Sequence, residues 1–322
     1  MEYLKIHSNI YTEILKGIMS ESAKSIPQCY YIVGYRGYGK TGLLHNLEKT
    51  LKKADKFCPL YVDCPISPSF MIFETILKYN KTQGRLILLL DDADILFKDM
   101  GRDDLFRLRS ILYKEGAPII VGTGVELSSL FTDYQAPFYD AFILYRLKEL
   151  TDEVSISLFE NMRNRSHTAR NNIAHNIAHN LVLELLDEMG KTPESCRLLS
   201  NVSSFDVARP IILMEALEPL SLYYREKLIS LSPLQRKTLT YMLTKNNPVL
   251  LKDIREATGQ SAGDISPQLK ALSIKGLVTT NRQNIKKTEY SVADKVMRSW
   301  FKNCVMKESL QITHLLNKNE LK

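Results

Sequence analysis

The chain has 322 residues, 44% of them hydrophobic and 25% charged, and a net charge of +7. That balance predicts a globular protein of two or three domains and excludes a disordered or fibrous chain. The longest apolar run, Leu86–Leu90, is far short of the roughly 20 residues a membrane helix needs. No membrane association is expected.

Met1-Glu-Tyr-Leu-Lys lacks the apolar core of a signal peptide. The five cysteines are odd in number and form no CxxC pair. A disulfide framework or zinc site is therefore not expected, and a reducing, cytoplasmic setting is. Charge is unevenly distributed: residues 231–322 hold 16 Lys+Arg against 7 Asp+Glu, and residues 1–230 hold 27 against 29. The C-terminal end is suited to a polyanion, or is simply a solvated basic surface.

In chain order, the first informative segment is Cys29–Leu44. A short apolar strand, Cys29–Val33, runs into Gly34-Tyr35-Arg36-Gly37-Tyr38-Gly39-Lys40-Thr41-Gly42 and then an amphipathic helix carrying Leu43, Leu44, Leu47 and Leu51. This G-x-x-x-x-G-K-T spacing is a phosphate loop. Its glycines let the chain curl so that backbone N–H groups face an anion, and the following helix points its positive end at the same place. Lys40 is expected on the β- and γ-phosphates, and the Thr41 hydroxyl on Mg²⁺. Tyr35 and Tyr38 are bulky for such a loop; they either stack on a partner or cover the site.

A strand–helix pair follows (Pro59–Cys64, then Pro68–Tyr79). After it, Arg85-Leu-Ile-Leu-Leu-Leu-Asp91-Asp92-Ala-Asp94 reads as a strand buried on both faces and ending in carboxylates. Asp91 is the expected Mg²⁺ carboxylate. Asp92 stands where many ATPases place a water-orienting glutamate, and its shorter side chain predicts slow hydrolysis. Asp94 reads as a helix cap or a surface charge. The intervening strand places the chain in the additional-strand division of P-loop NTPases. No NKxD guanine-reading motif is present, which favours ATP.

Phe106–Tyr113 is a predicted helix, and Arg107 and Arg109 on it read as solvated or as trans-acting fingers in an oligomer. Ala117–Gly124 is a predicted strand whose end carries Thr123. Its hydroxyl either contacts the γ-phosphate or attacking water, or satisfies a local turn. Ala141–Arg146 is a fifth strand. Thr151 can cap a helix that opens a helical segment running to about Tyr224. His175 and His179 share a helical spacing but lack the glutamate of a zinc hydrolase, and read as surface residues.

From Leu231 the pattern becomes three helices (Ser232–Leu243, Leu251–Ala257 and Ser261–Lys275) and two strand-like runs, Leu277–Thr280 and Thr288–Val292, joined by a basic loop. This is the pattern of a winged helix-turn-helix. Pro267 marks either the true start of the third helix, with Ser266 as its cap, or a kink. Gln268 and Lys270 on the third helix are candidate base-edge contacts, and Arg282, Lys286 and Lys287 in the wing are candidate phosphate contacts. Winged helices also serve as protein-contact modules.

The runs ISPQLKALSIKGLV and KKTEYSVADKVMRSWF, with Tyr290, Asp294 and Trp300-Phe301, resemble the end of the archaeal-type ATPase family in the STAND branch of P-loop NTPases. GYRGYGKT, LLLLDDAD and the VGTG strand are similar to that family's core. YVDCPISPSFMIFETIL looks like the second strand and helix of origin-recognition AAA+ initiators. Ser203–Leu213 resembles the AAA+ lid segment that bears a sensor-2 arginine, which would be Arg209; its bland reading is a surface arginine after a helix-start aspartate. Asp92 departs from the usual glutamate, and Gly122-Thr-Gly from the initiators' asparagine-bearing strand.

The expected fold is thus α/β: an additional-strand (AAA+/STAND-like) P-loop core at 1–148, a helical lid at 149–228, a winged helix-turn-helix at 229–302 and a C-terminal helix or tail at 303–322. The resemblance implies an ATP-driven switch whose downstream process varies widely; the motifs add Mg²⁺, Asp92 adds slow hydrolysis, and the basic winged helix adds engagement of DNA through residues 231–302, in replication, transposition or defence. The alternative is a signalling STAND-type ATPase whose winged helix contacts protein and whose nucleotide state gates assembly; a homo-oligomer or a protein partner is the further partner expectation.

Overall fold

In the computed structural model the chain divides into two compact units, residues 1–148 and 149–322. Residues 6–21, 26–79, 84–165, 179–284 and 287–306 are described. Lys286, His175 and the tail 307–322 lie outside them.

The first unit runs α1 (Ser8–Glu21), β1 (Cys29–Val33), α2 (Lys40–Leu51), β2 (Phe57–Asp63), α3 (Phe70–Lys78), β3 (Arg85–Asp91), α4 (Ala93–Asp99), α5 (Arg102–Leu112), β4 (Ile119–Gly124), α6 (Ser129–Thr132) and β5 (Phe142–Arg146). The five strands form one parallel sheet in the order β2-β3-β4-β1-β5. Strand alternation divides the core in two. Tyr30, Ile32, Ile87, Leu89, Ile119 and Val121 face one layer with Ile14 and Ile18 of α1 and Leu44, Leu47 and Leu51 of α2. Tyr31, Val33, Leu86, Leu88, Leu90 and Ile120 face the other, with Ile72 and Phe73 of α3, Phe97 of α4 and Leu108 of α5. With helices on both faces, the central strands must be apolar throughout, and β1 and β4 are buried along their whole length.

The strand that separates the phosphate-loop strand from the aspartate strand is β4, at the register Leu89↔Val121 and Tyr30↔Val121. The sequence reading gave that part to β2, which lies at the sheet edge instead. Chain order does not fix sheet order, and the chain after β3 returns to pair inside it. Close approach explains the glycines of β4. A Cβ on Gly122 would come within 2.9 Å of the Tyr31 ring, and one on Gly124 within 2.1 Å of its hydroxyl.

In the second unit, Asp152–Arg165 is helical, and Thr151 accepts from the Val154 N–H at 3.4 Å. Helices His179–Met189, Pro193–Ser200, Arg209–Leu217 and Ser221–Ile229 follow. Helices Pro233–Leu243, Leu251–Thr258 and Ala262–Ile274 then pack together around Leu239, Leu243, Ile254, Ile265, Leu269 and Leu272. The last of them begins at Ser261, which forms a capping box with Asp264. Pro267 therefore lies inside the helix, and Ser266 is not its cap. A three-stranded antiparallel sheet accompanies these helices in the order β6 (Val249–Leu250), β8 (Lys287–Val292), β7 (Val278–Asn284). Strand β6 has no counterpart in the sequence reading, since two residues carry no alternation to detect.

Asp294 caps the helix Lys295–Trp300 through the Met297 N–H at 3.1 Å, and its other oxygen accepts from the Tyr224 hydroxyl at 3.0 Å. Trp300 is buried against Tyr224 and donates its indole N–H to Ser221 Oγ at 2.8 Å. Residues 301–306 continue as a π-helix. Asp294 and Trp300 thus pack on the helix Ser221–Ile229, so the segments expected as lid and as winged helix share one core.

Candidate nucleotide site

The loop between β1 and α2 turns at Gly37 (φ 82) and Gly39 (φ 90), backbone angles that side chains beyond glycine seldom adopt. Gly34 is buried at the strand end, and its N–H donates to the Gly124 carbonyl at 3.0 Å. Tyr35 and Tyr38 meet edge to face with centroids 6.0 Å apart, so each ring packs on the other within the loop. His7 Nε2 lies 2.9 Å from the Tyr38 carbonyl. Arg36 is half-buried in the same turn, and Gly42 falls in the first turn of α2.

Lys40 opens α2 and is 8% exposed. Its ammonium donates to the carbonyls of Gly34 (2.7 Å) and Tyr35 (3.4 Å) and stands 3.9 Å from Asp92 Oδ1. Burial pulls its pKa below the ordinary lysine value, against the nearby charges of Asp92 and Asp91. The Thr41 hydroxyl donates to Asp91 Oδ2 at 2.6 Å. The Thr123 hydroxyl is fully buried, donates to Asp91 Oδ1 at 2.7 Å and accepts from the Asp92 N–H at 2.9 Å. Asp92 takes a left-handed backbone (φ 50), a strained state for a residue with a side chain. Burial raises its carboxyl pKa, with Lys40 opposing the shift.

Lys40, Thr41, Asp91, Asp92 and Thr123 are therefore gathered at the C-terminal ends of β1, β3 and β4. Thr123 does more than close a turn, because it ties β4 to both aspartates. Asp94 is not a surface charge: its side chain is 12% exposed and lies 3.9 Å from Lys98. Arg109 is not solvated either. Its guanidinium donates to the carbonyls of Pro137 and Tyr139 at 2.6 and 3.0 Å, while Arg107 lies over the Phe73 ring.

Arg209 belongs to the second unit. There it donates to Glu184 Oε2 (3.1 Å), to the Glu184 carbonyl (3.0 Å) and to Glu188 Oε2 (3.3 Å). Glu188 also accepts from Asn303 Nδ2 at 2.9 Å. Gln268 is half-buried and Lys270 exposed on the helix Ala262–Ile274. Arg282 sits on β7 and Lys287 opens β8. His179 bonds Glu160 at 2.7 Å, and no cluster of three or more metal-ligating side chains occurs among the described residues.

One participant escaped the sequence reading. The Tyr61 hydroxyl donates to Asp91 Oδ2 at 2.9 Å. Only the β2–β3 register, which sets Tyr61 beside Leu89 and Asp63 beside Asp91, brings them together.

No family model matches the chain, and no curated protein matches it by sequence. Among solved structures, a Walker-type ATPase of Pyrococcus abyssi is similar at a TM-score of 0.65 and 14% identity, covering 90% of this chain and 95% of that one. The Aeropyrum pernix ORC1 protein, solved in complex with DNA, is similar at a TM-score of 0.50 and 15% identity, over 92% of each chain. At such identities the likeness establishes the fold alone: the chain has an α/β P-loop fold built on a five-stranded parallel sheet, like that of the Walker-type ATPase.

Proposed function

We propose that the protein is an ATP-binding switch that hydrolyses ATP slowly and engages DNA through its basic C-terminal segment. The observation that carries this reading is the convergence of Lys40, Thr41, Asp91, Asp92 and Thr123 around one strand end. The loop's N–H groups and the Lys40 ammonium cradle the triphosphate. The Thr41 hydroxyl and the Asp91 carboxylate, 2.6 Å apart, are hard oxygen donors that fit Mg²⁺. Held by these two side chains, Mg²⁺ would supply positive charge against the phosphates. Asp92, on its strained backbone 3.9 Å from the lysine, orients the attacking water. Thr123 holds both aspartates in register from below. Arg209 is engaged by Glu184 and Glu188 within its own unit.

Three observations support DNA as the partner: the excess of basic residues in 231–322, the exposed Lys270 on the third helix, and the hairpin that bears Arg282 and Lys287. Three helices with a three-stranded antiparallel sheet support reading residues 229–302 as a winged helix, a form that commonly lays its third helix in the major groove. The ORC1 likeness is to a protein whose structure contains DNA.

The test is duplex binding by fluorescence anisotropy in the absence of nucleotide, with ADP, and with a slowly hydrolysed ATP analogue. Salt-sensitive binding that changes with nucleotide supports the proposal. Absence of binding in every state assigns the winged segment to protein contact, the role it has in a signalling ATPase.

A further inference from the structure

We propose that Tyr61 is a positioning residue for the metal-binding carboxylate Asp91, held in place by the His45 ring; this rests on the nucleotide-site reading above. Two periodicities converge on one atom. Along α2, Thr41 and His45 are four residues apart and therefore lie one above the other on the same face. Along the β2–β3 pair, Tyr61 is abreast of Leu89, two positions before Asp91, so that it faces the same side of the sheet. The Tyr61 ring stacks on His45 with centroids 4.3 Å apart and planes at 27°, and its hydroxyl reaches Asp91 Oδ2 at 2.9 Å.

Asp91 Oδ2 thus accepts from two hydroxyls, Thr41 and Tyr61, and Oδ1 from Thr123. These donors are not equivalent. Thr41 is itself one of the two oxygens set for the cation, so its hydroxyl cannot be reserved for orienting the carboxylate. Tyr61 has no second polar bond among those of the described residues, and its ring is fixed between the sheet and α2. It can keep Asp91 in one rotamer whether or not the cation is present. Neighbours that orient a metal ligand in this way typically contribute about 10–100-fold to metal affinity or activity. His45 ties the arrangement to the helix that carries the phosphate loop, so the loop, the carboxylate and β2 form one rigid assembly.

The experiment measures the affinity of a fluorescent ADP analogue twice for each variant of the full chain, in excess Mg²⁺ and in EDTA. The ratio of the two affinities reports the cation's contribution apart from catalysis. In Tyr61→Phe, which keeps the ring and its stack, the Mg²⁺ gain is expected to fall about tenfold, while the EDTA affinity stays within about twofold of wild type. His45→Ala keeps the hydroxyl but frees the ring, and is expected to lose a smaller part of the gain. A Tyr61→Phe protein with the wild-type Mg²⁺ gain overturns the proposal. So does one that loses affinity equally in both conditions, because that is the signature of general damage to the loop. A wild-type chain that binds nucleotide indifferently to Mg²⁺ overturns the metal reading and this proposal with it, whereas one that binds no nucleotide overturns the phosphate-loop reading itself.

Discussion

Replacing Thr123 with valine tests the construction of the site, because valine keeps the shape and removes only the hydroxyl. Two bonds disappear. One is a donation to the Asp91 carboxylate at 2.7 Å, the other an acceptance from the Asp92 N–H at 2.9 Å, and both lie beside a fully buried side chain. A bond to a charged group contributes about 1.5–3 kcal/mol, and a buried N–H left unsatisfied costs about 1–3 kcal/mol. Because the two share one atom they do not add fully, and about 3 kcal/mol is expected. For a unit of this size that corresponds to a fall of roughly 6–12 °C in Tm, measured by scanning calorimetry. Thr123→Ser keeps both bonds and gives up one methyl group, so it is expected to lose about 1 kcal/mol. If Thr123→Val unfolds within about 0.5 kcal/mol of wild type, a value far below either bond's contribution, the hydroxyl does not hold the two aspartates and the account of β4 is wrong.

The two adjacent aspartates should separate. Asp92→Asn is expected to keep nucleotide binding and lose turnover, while Asp91→Asn weakens Mg²⁺-dependent binding; phosphate release and calorimetry distinguish them, and wild-type turnover in Asp92→Asn would move water positioning to another group. Burial holds the His7 pKa below its ordinary value, so the unfolded chain binds a proton first as the pH falls through about 6.5, and stability is lost from there downward. His7→Asn, a replacement that tolerates the same left-handed backbone, should flatten the decline in Tm between about pH 7 and 5.5 that wild type shows; an unchanged slope refutes this. Replacing Lys286 and Lys287 with alanine should reduce the log–log salt slope of DNA binding by up to about 2 and weaken all sequences alike.

The sequence disclosed what local spacing encodes. Glycines at 34, 37 and 39 announce a loop that curls, and the chain turns with positive φ at the last two. Arg85–Asp91 reads as a strand covered on both faces because its five central residues are all apolar, and all five are buried. Ser232 announces a helix start and caps it, whereas the third helix is capped by Ser261, not by Ser266 before Pro267. Contacts set by three-dimensional pairing were not legible. The place of β4 between β1 and β3, the reach of Tyr61 to Asp91, and the capture of Arg109 by the Pro137 and Tyr139 carbonyls each depend on which segments become neighbours. Asp92 could be assigned to the site from its position after the strand, but its left-handed backbone could not be foreseen, because an aspartate tolerates that state without announcing it.

The central claim is that the loop from Gly34 to Thr41 holds a nucleoside triphosphate. Calorimetric titration of wild type and Lys40→Ala with ATP in excess Mg²⁺ tests it most directly. The buried ammonium, already turned toward the loop carbonyls of Gly34 and Tyr35, supplies a charge-assisted bond to phosphate. Such a bond contributes about 1.5–3 kcal/mol, so the variant is expected to bind about tenfold or more weakly than a wild type that binds one equivalent. Equal affinities in the two proteins would contradict the assignment of the phosphate site.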